Sequence, residues 1–182
     1  MRVISGIARG RRLSHPDDDS VRPTTDMVKE ALFNIIQFNI EGASVLDLFS
    51  GTGQLGIEAL SRGASSADFV DQSDKALKLV RANLQHTHLE DYAEVNREDA
   101  LAFLKRGRKY DIIFLDPPYE SSAIEKVIKT INEFDILNEN GIIICETKAD
   151  KHLPDVSFPY KKGREYRYGR IKISLYIREN KA

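Results

Sequence analysis

Two spacings of apolar residues alternate along the chain. Val28, Ala31, Leu32, Ile35 and Ile36 recur every three or four positions and predict a helix from about Thr24, with Arg22-Pro23 as an extended lead-in. A compact run at 44–49 then reads as a strand ending in a glycine-rich turn. A helix over 53–62 follows, stopped by Gly63. The pattern repeats: a strand at 67–71, then a helix capped by Ser73 with Ala76, Leu77, Val80 and Leu84 inward. Next come a strand at 93–96, a short helix at 100–104 and a near-continuous apolar strand at 110–116 of the kind buried on both faces. Ser122 and Glu125 form a capping box for a helix with Ile124, Val127, Ile128 and Ile131 inward, and a fifth strand occupies 141–147. A hairpin over 165–170 and 171–178, turning at Gly169, closes the chain, and a short extended pair at 2–5 and 10–13, turning near Gly6, opens it. Repeated strand–helix alternation predicts an α/β fold with a mostly parallel sheet wound on both faces and an antiparallel C-terminal hairpin. Residues 1–40 read as an N-terminal β-hairpin and helix appended to a core at 41–182, within a single domain.

Composition narrows the class. The 182 residues carry one cysteine and a formal net charge of -1, with 41% hydrophobic and 30% charged side chains. That balance excludes a disordered tail and a disulfide scaffold. The longest apolar run, 100–104, is too short to span a bilayer, and no secretory leader is visible, so the expected location is cytoplasmic without membrane association. His15, His86, His88 and His152 lack metal-ligand spacing, and no metal is expected. Near-neutral net charge hides an asymmetry. Residues 1–16 hold Arg2, Arg9, Arg11 and Arg12 with no acid, and residues 159–182 hold eight cations against two acids. Tyr160, Tyr166 and Tyr168 interleave with the latter. Cations beside aromatics suit a nucleic-acid-facing surface built from the two chain ends.

Ligands of such sheets bind beyond the carboxyl ends of the strands. The first strand ends Asp47-Leu-Phe-Ser-Gly-Thr-Gly-Gln-Leu-Gly56, the second at Asp71; Glu98-Asp99-Ala100 follows the third, and the fourth ends Asp116-Pro-Pro-Tyr119. The glycines match a dinucleotide pattern only weakly. Asp47 decides against it, because a carboxylate there repels a pyrophosphate and attracts an ammonium. S-adenosylmethionine offers that ammonium, a carboxylate for the loop N–H groups, and no phosphate. Asp71 is placed to accept the ribose hydroxyls and Asp99 the adenine amine. Phe49, Gly51, Thr52, Gly53, Gln72 and Ala100 complete the expected cofactor contacts.

Asp116-Pro117-Pro118-Tyr119 is the most specific feature. The prolines remove two N–H donors and stiffen the turn. The Asp116 carboxylate and Pro117 carbonyl form two adjacent acceptors, matching one exocyclic NH₂ group. Gripping both hydrogens favours a pyramidal nitrogen with its lone pair aimed at a methyl donor, and Tyr119 offers a face for the base.

Asp47-Leu-Phe-Ser-Gly-Thr-Gly with Asp116-Pro-Pro-Tyr resembles the amino-group methyltransferases of adenine N6 and guanine N2. Met1-Arg-Val-Ile-Ser-Gly, Gly10-Arg-Arg-Leu, Arg22-Pro-Thr-Thr-Asp, Lys29-Glu-Ala-Leu-Phe-Asn-Ile and Leu55-Gly-Ile-Glu-Ala-Leu-Ser-Arg-Gly resemble one branch, the bacterial RsmD-type enzymes. The resemblance runs from Met1 to about Arg178. It implies a Rossmann-like class I methyltransferase that transfers methyl from S-adenosylmethionine to guanine N2 of 16S ribosomal RNA, within a small-subunit assembly particle, as a monomer. Arg9, Arg11, Arg12, Arg22, Arg164, Arg167 and Arg170 are the expected RNA contacts. Met27 replaces an expected arginine, and Gln54 a small residue. From the residues alone, an adenine-N6 methyltransferase and a non-catalytic cofactor-binding RNA chaperone stay open, while Asp47 disfavours an NAD-linked oxidoreductase.

Overall fold

In the computed structural model, which describes residues 1–16, 25–117 and 123–179, the expected alternation resolves into five α-helices and seven strands among the described residues. Arg22, Pro118, Tyr119, Ser122 of the capping box and Lys181 lie outside them. The elements are α1 (Asp26–Ile35), β1 (Ser44–Leu48), α2 (Gln54–Ser61), β2 (Ser66–Asp71), α3 (Asp74–Thr87), β3 (Ala93–Arg97), α4 (Ala100–Leu104), β4 (Tyr110–Leu115), α5 (Ala123–Phe134), β5 (Leu137–Lys148), β6 (Tyr160–Tyr168) and β7 (Ile171–Arg178). They build one sheet in the order β3-β2-β1-β4-β5-β7-β6. The first five strands in this order are parallel, and β7 joins antiparallel to both β5 and β6. The closing hairpin therefore contributes one interior strand, β7, and one edge, β6.

Alternation along each strand divides the core into two layers. Val45, Phe69, Ile112, Phe114 and Ile144 face one side, against α1, α2, α3 and the N-terminal residues Val3, Ala8 and Leu13. Leu46, Val70, Ile113, Leu115 and Ile143 face the other, against α4 and α5. The Ser73 cap acts as expected, its Oγ accepting from Ala76 N–H at the start of α3, and Asp99, expected as an adenine acceptor, caps α4 by accepting from Ala102 N–H.

Three boundaries differ from expectation. The opening extended pair forms a single antiparallel bridge, Arg2 to Arg12. Val3, Gly10 and Leu13 N–H still bond across the pair, whereas other donors turn to α2: Ile4 and Ser5 N–H to the Glu58 carboxylate, and Ile7 N–H to the Ser61 carbonyl. This approach is close enough to require Gly6, since a Cβ there would stand 1.7 Å from the Ser61 oxygen. Strand β5 starts four residues early because Leu137 pairs with Tyr110 across a register irregularity. Strand β6 starts five residues early, at Tyr160. That side chain is buried, with its hydroxyl accepting from Leu137 N–H and donating to Asp135. Tyr160 is thus a core residue, and its expected place on a nucleic-acid-facing surface is corrected.

Candidate active site

The strand order reverses between β1 and β4. From β1 the chain crosses over α2 to β2 on one side, whereas β4 lies on the other. The crevice of such a sheet opens there. Three acids line it on one face. Asp47 of β1 is in register with Phe114 of β4, which is in register with Ile144 of β5. Two residues further along their strands, on the same face by alternation, come Asp116 and Glu146.

Asp47 is almost fully buried, with Oδ2 accepting from Gly56 N–H at 2.9 Å. Burial and the neighbouring Asp71 push its carboxyl up to about 7, against the opposing effect of that hydrogen bond. Asp116 is partly buried, and its carboxyl is raised well above the usual range by burial, then by Glu146 and Asp47. Glu146, 3% exposed, is a member of this group that inspection of the first four strand ends missed. The signal was an acid at the carboxyl end of the fifth strand, within Ile-Cys-Glu-Thr.

The glycine loop is built around these acids. Phe49 turns sharply out of β1 at φ 72°, and the Phe49 and Ser50 N–H groups share the Val70 carbonyl. Gly51 and Gly53 both have positive φ. A Cβ on Gly51 would meet open space, whereas one on Gly56 would lie 2.4 Å from the Phe69 ring. Gly56 therefore lets α2 settle onto β1 and β2 so that its N–H reaches Asp47, while Gly51 leaves room for a ligand. Helix α2 starts without a side-chain cap. Ser50 Oγ and Gln54 Oε1 are buried beside the loop without a hydrogen-bond partner among the described residues. Open space at Gly51, uncapped N–H groups and two unpartnered polar atoms fit a ligand with a carboxylate and hydroxyls. Gln54, a departure from the family pattern, thereby becomes one of the groups that such a ligand would satisfy; Met27, the other, is an exposed side chain on α1.

The remaining expected cofactor residues gather at the same edge, with bonds of their own. Asp71 accepts from Gly51 N–H at 3.0 Å and from Ser73 N–H at 2.8 Å, tying the loop to the end of β2. Asp99 caps α4 and accepts from Gln72 Nε2 at 2.7 Å. Each carboxylate oxygen keeps a second lone pair for a ligand. Thr52 and Ala100 are buried.

The arginines divide. Strand β7 begins at this end of the sheet, because Ile171 pairs with Lys148, the last residue of β5. The hairpin turn with Arg167 and Arg170 therefore flanks the site, both side chains exposed, with Arg164 exposed further along β6. Arg9 and Arg11 lie at the opposite edge, where residues 7 and 8 bond to Ser61 at the end of α2 and Arg11 reaches the His86 carbonyl near the end of α3. Arg12 is exposed beside Arg2. Four other cations of the closing segment are engaged in ion pairs: Lys161 with Glu179, Lys162 and Lys172 with Glu165, and Arg178 with Asp135.

Similarity to known proteins places the chain in a family. A family model described as "Conserved hypothetical protein 95" matches residues 1–177. The protein named ribosomal RNA small subunit methyltransferase D of Escherichia coli is 36% identical over 98% of this chain and 90% of its own length. The chain belongs to the RsmD family. YlbH of Bacillus subtilis is 41% identical, over 97% of this chain and 98% of its own. The solved structure of Escherichia coli yhhF superposes with a TM-score of 0.88 at 34% identity, covering 98% of each chain. The Rossmann-like sheet and the order of its elements are thus those of this RsmD-type family.

Proposed function

We propose that this chain methylates small-subunit ribosomal RNA with S-adenosylmethionine as donor, and that the methyl acceptor is the exocyclic N2 of a guanine. The observation that carries this reading is the placement of Asp116 beside Asp47 and an open glycine loop at the point where the strand order reverses. When bound, S-adenosylmethionine supplies an electrophilic methyl group on a sulfonium.

The chain's own residues do the rest. Asp47 balances the ammonium of the methionine moiety: among the described residues its Oδ1 has no donor. Ser50, Gln54 and the loop N–H groups meet the remaining polar groups, and Asp71 the ribose. Asp116 and the Pro117 carbonyl hold the two amine hydrogens, orienting the nitrogen lone pair. The raised proton affinity of Asp116 suits it to take up the proton that the amine sheds. Tyr119 is assigned as a stacking face from the sequence alone. Orientation and charge placement, rather than strong acid or base, carry the rate.

Arg164, Arg167 and Arg170 flank the site, while Arg9 follows Ala8, which is bonded to Ser61 at the far end of α2, a helix about 12 Å long at 1.5 Å per residue. A substrate that touches both is larger than one nucleotide loop, which favours an assembling ribosomal particle.

The test is methyl transfer from labelled donor to small subunits, naked ribosomal RNA, DNA and a blank, followed by nucleoside analysis. Labelled N2-methylguanosine in the small-subunit sample is expected. Labelled N6-methyladenine would overturn the choice of base, and donor binding without transfer would overturn catalysis.

A further inference from the structure

Asn83 is a polar side chain on the otherwise apolar face of α3, 1% exposed. Its Nδ2 donates to the Thr52 carbonyl at 2.9 Å and to the Ser14 carbonyl at 3.0 Å, and its Oδ1 accepts from Ser14 N–H at 2.7 Å. The orientation of the amide is fixed, because Ser14 N–H can only donate and the two carbonyls can only accept. No aliphatic or carboxylate side chain satisfies all three groups. Thr52 lies between Gly51 and Gly53, both at positive φ. Two glycines leave such a loop with little preference for one conformation, so its shape must be imposed by its neighbours. Asp71 imposes it at Gly51 N–H and Asn83 at the Thr52 carbonyl. The N-terminal arm, residues 1–16, meets the same loop a second time: Met1 Sδ lies 3.5 Å from Thr52 Oγ1, and Leu13 N–H donates to the Met1 carbonyl.

We propose that Asn83 is a positioning residue that joins the donor loop to the docked N-terminal arm, so that donor binding and arm docking strengthen each other. The proposal rests on the function above, because the arm carries Arg9, Arg11 and Arg12, the arginines assigned to RNA. By reciprocity, RNA that holds the arm docked raises donor affinity by the factor by which donor raises RNA affinity. The arm thereby becomes the route by which substrate at the far edge of the sheet reports to the donor site.

Hydrogen exchange of the full-length protein with and without S-adenosylhomocysteine, combined with calorimetric affinities, tests this. In the wild type, the ligand should slow exchange in residues 11–16 as well as in the glycine loop. Asn83→Ala should weaken donor binding about tenfold, or about 1.4 kcal/mol. It should raise the donor KM by the same factor, leave kcat at saturating donor within about twofold, and abolish the arm's response. Asn83→Asp, which keeps the acceptor for Ser14 but loses the donor to Thr52, should behave like the alanine variant. Should a variant not fold, the wild-type exchange still decides. Ligand binding that protects the loop and leaves the arm unchanged overturns the coupling while the methyltransferase reading stands. Unchanged donor affinity in Asn83→Ala overturns it equally. Failure of the wild type to bind the ligand overturns both.

Discussion

Two groups of buried charge lie on the same face of the sheet and are built on opposite principles. Beneath the N-terminal arm, the fully buried Glu58 accepts from Ile4 and Ser5 N–H, bonds Arg62 at 2.7 Å and pairs with the equally buried Lys29 at 3.6 Å. Lys29 Nζ also donates to the Arg2 carbonyl, and the Arg62 guanidinium lies over the Phe33 ring. Every charge there has a partner. At the crevice, Asp47, Asp116 and Glu146 are gathered with like charge facing like, and neither Asp47 nor Asp116 has an ion pair among the described residues. The first arrangement makes burial tolerable and holds the arm in place. The second stores unfavourable electrostatics, which persist where something other than stability selects for them, on the proposed function an incoming cation and an amine. Buried charge alone does not mark the candidate site; carboxyls such as Asp47 and Asp116, brought together without an ion pair among the described residues, do.

The sharpest way to break this contrast is to remove one member from each group. Glu58→Ala leaves two backbone N–H groups and a buried ammonium without their acceptor, and should cost about 3–5 kcal/mol of stability in urea unfolding. A loss under about 1 kcal/mol would show that the network is not the anchor described. Asp116→Ala should retain donor affinity and lower turnover roughly 10²–10³-fold, the scale for one preorganised polar group. Because Asp116 sits among acids, Asp116→Asn should leave stability at neutral pH unchanged or raise it, opposite in sign to Glu58→Ala. Near-normal turnover in Asp116→Ala would remove it from the chemistry.

The contrast was only half legible in the sequence. Strands buried on both faces announce themselves as apolar runs, and three of the acids proposed to face ligand stand at their ends, so Asp47, Asp71 and Asp116 could be read directly. Glu146 follows Ile-Ile-Ile-Cys in a run that looks wholly structural. Lys29 and Glu58 carry no such signal, because long charged side chains usually reach water and periodicity does not reveal when both are enclosed. Asn83 carried a signal, a polar residue on the face of Leu77, Val80 and Leu84, but its meaning depends on Ser14 and Thr52, which are remote in sequence. Tyr160 misled because aromatics among cations look alike whether they stack a base or fill a core.

Asp47 sharpens the comparison through pH. Its carboxyl titrates near 7 in the fold, against 3.8 ordinarily. Between those values the folded chain holds a proton that the unfolded chain has lost. The stability this group contributes is complete below about pH 4 and disappears as pH rises through 7. Donor binding has the opposite sign, because an ammonium selects the carboxylate. Affinity should rise as pH climbs from 6 to 8, with proton release at pH 6.5 visible as a buffer-dependent calorimetric enthalpy. Asp47→Asn should remove this dependence and weaken donor binding roughly 10–100-fold, the scale of a charge-assisted hydrogen bond. Unchanged affinity in that variant would take Asp47 out of the site.

The smallest effects belong to the exposed hairpin, where the same contrast recurs at the surface. Lys161 and Arg178 are engaged by Glu179 and Asp135, while Arg164 and Arg170 have no ion pair among the described residues and Arg167 reaches only the Ala149 carbonyl. A cation already paired has little to offer a phosphate, whereas an unpaired one releases a counterion when RNA binds. Arg170→Gln should weaken small-subunit binding only a few-fold and lower the slope of log affinity against log salt by about one. Lys161→Gln should leave that slope within error of the wild type. Equal slopes for the two variants would mean that the hairpin's charge acts as a diffuse field, and that pairing within the fold does not decide which cations meet the substrate.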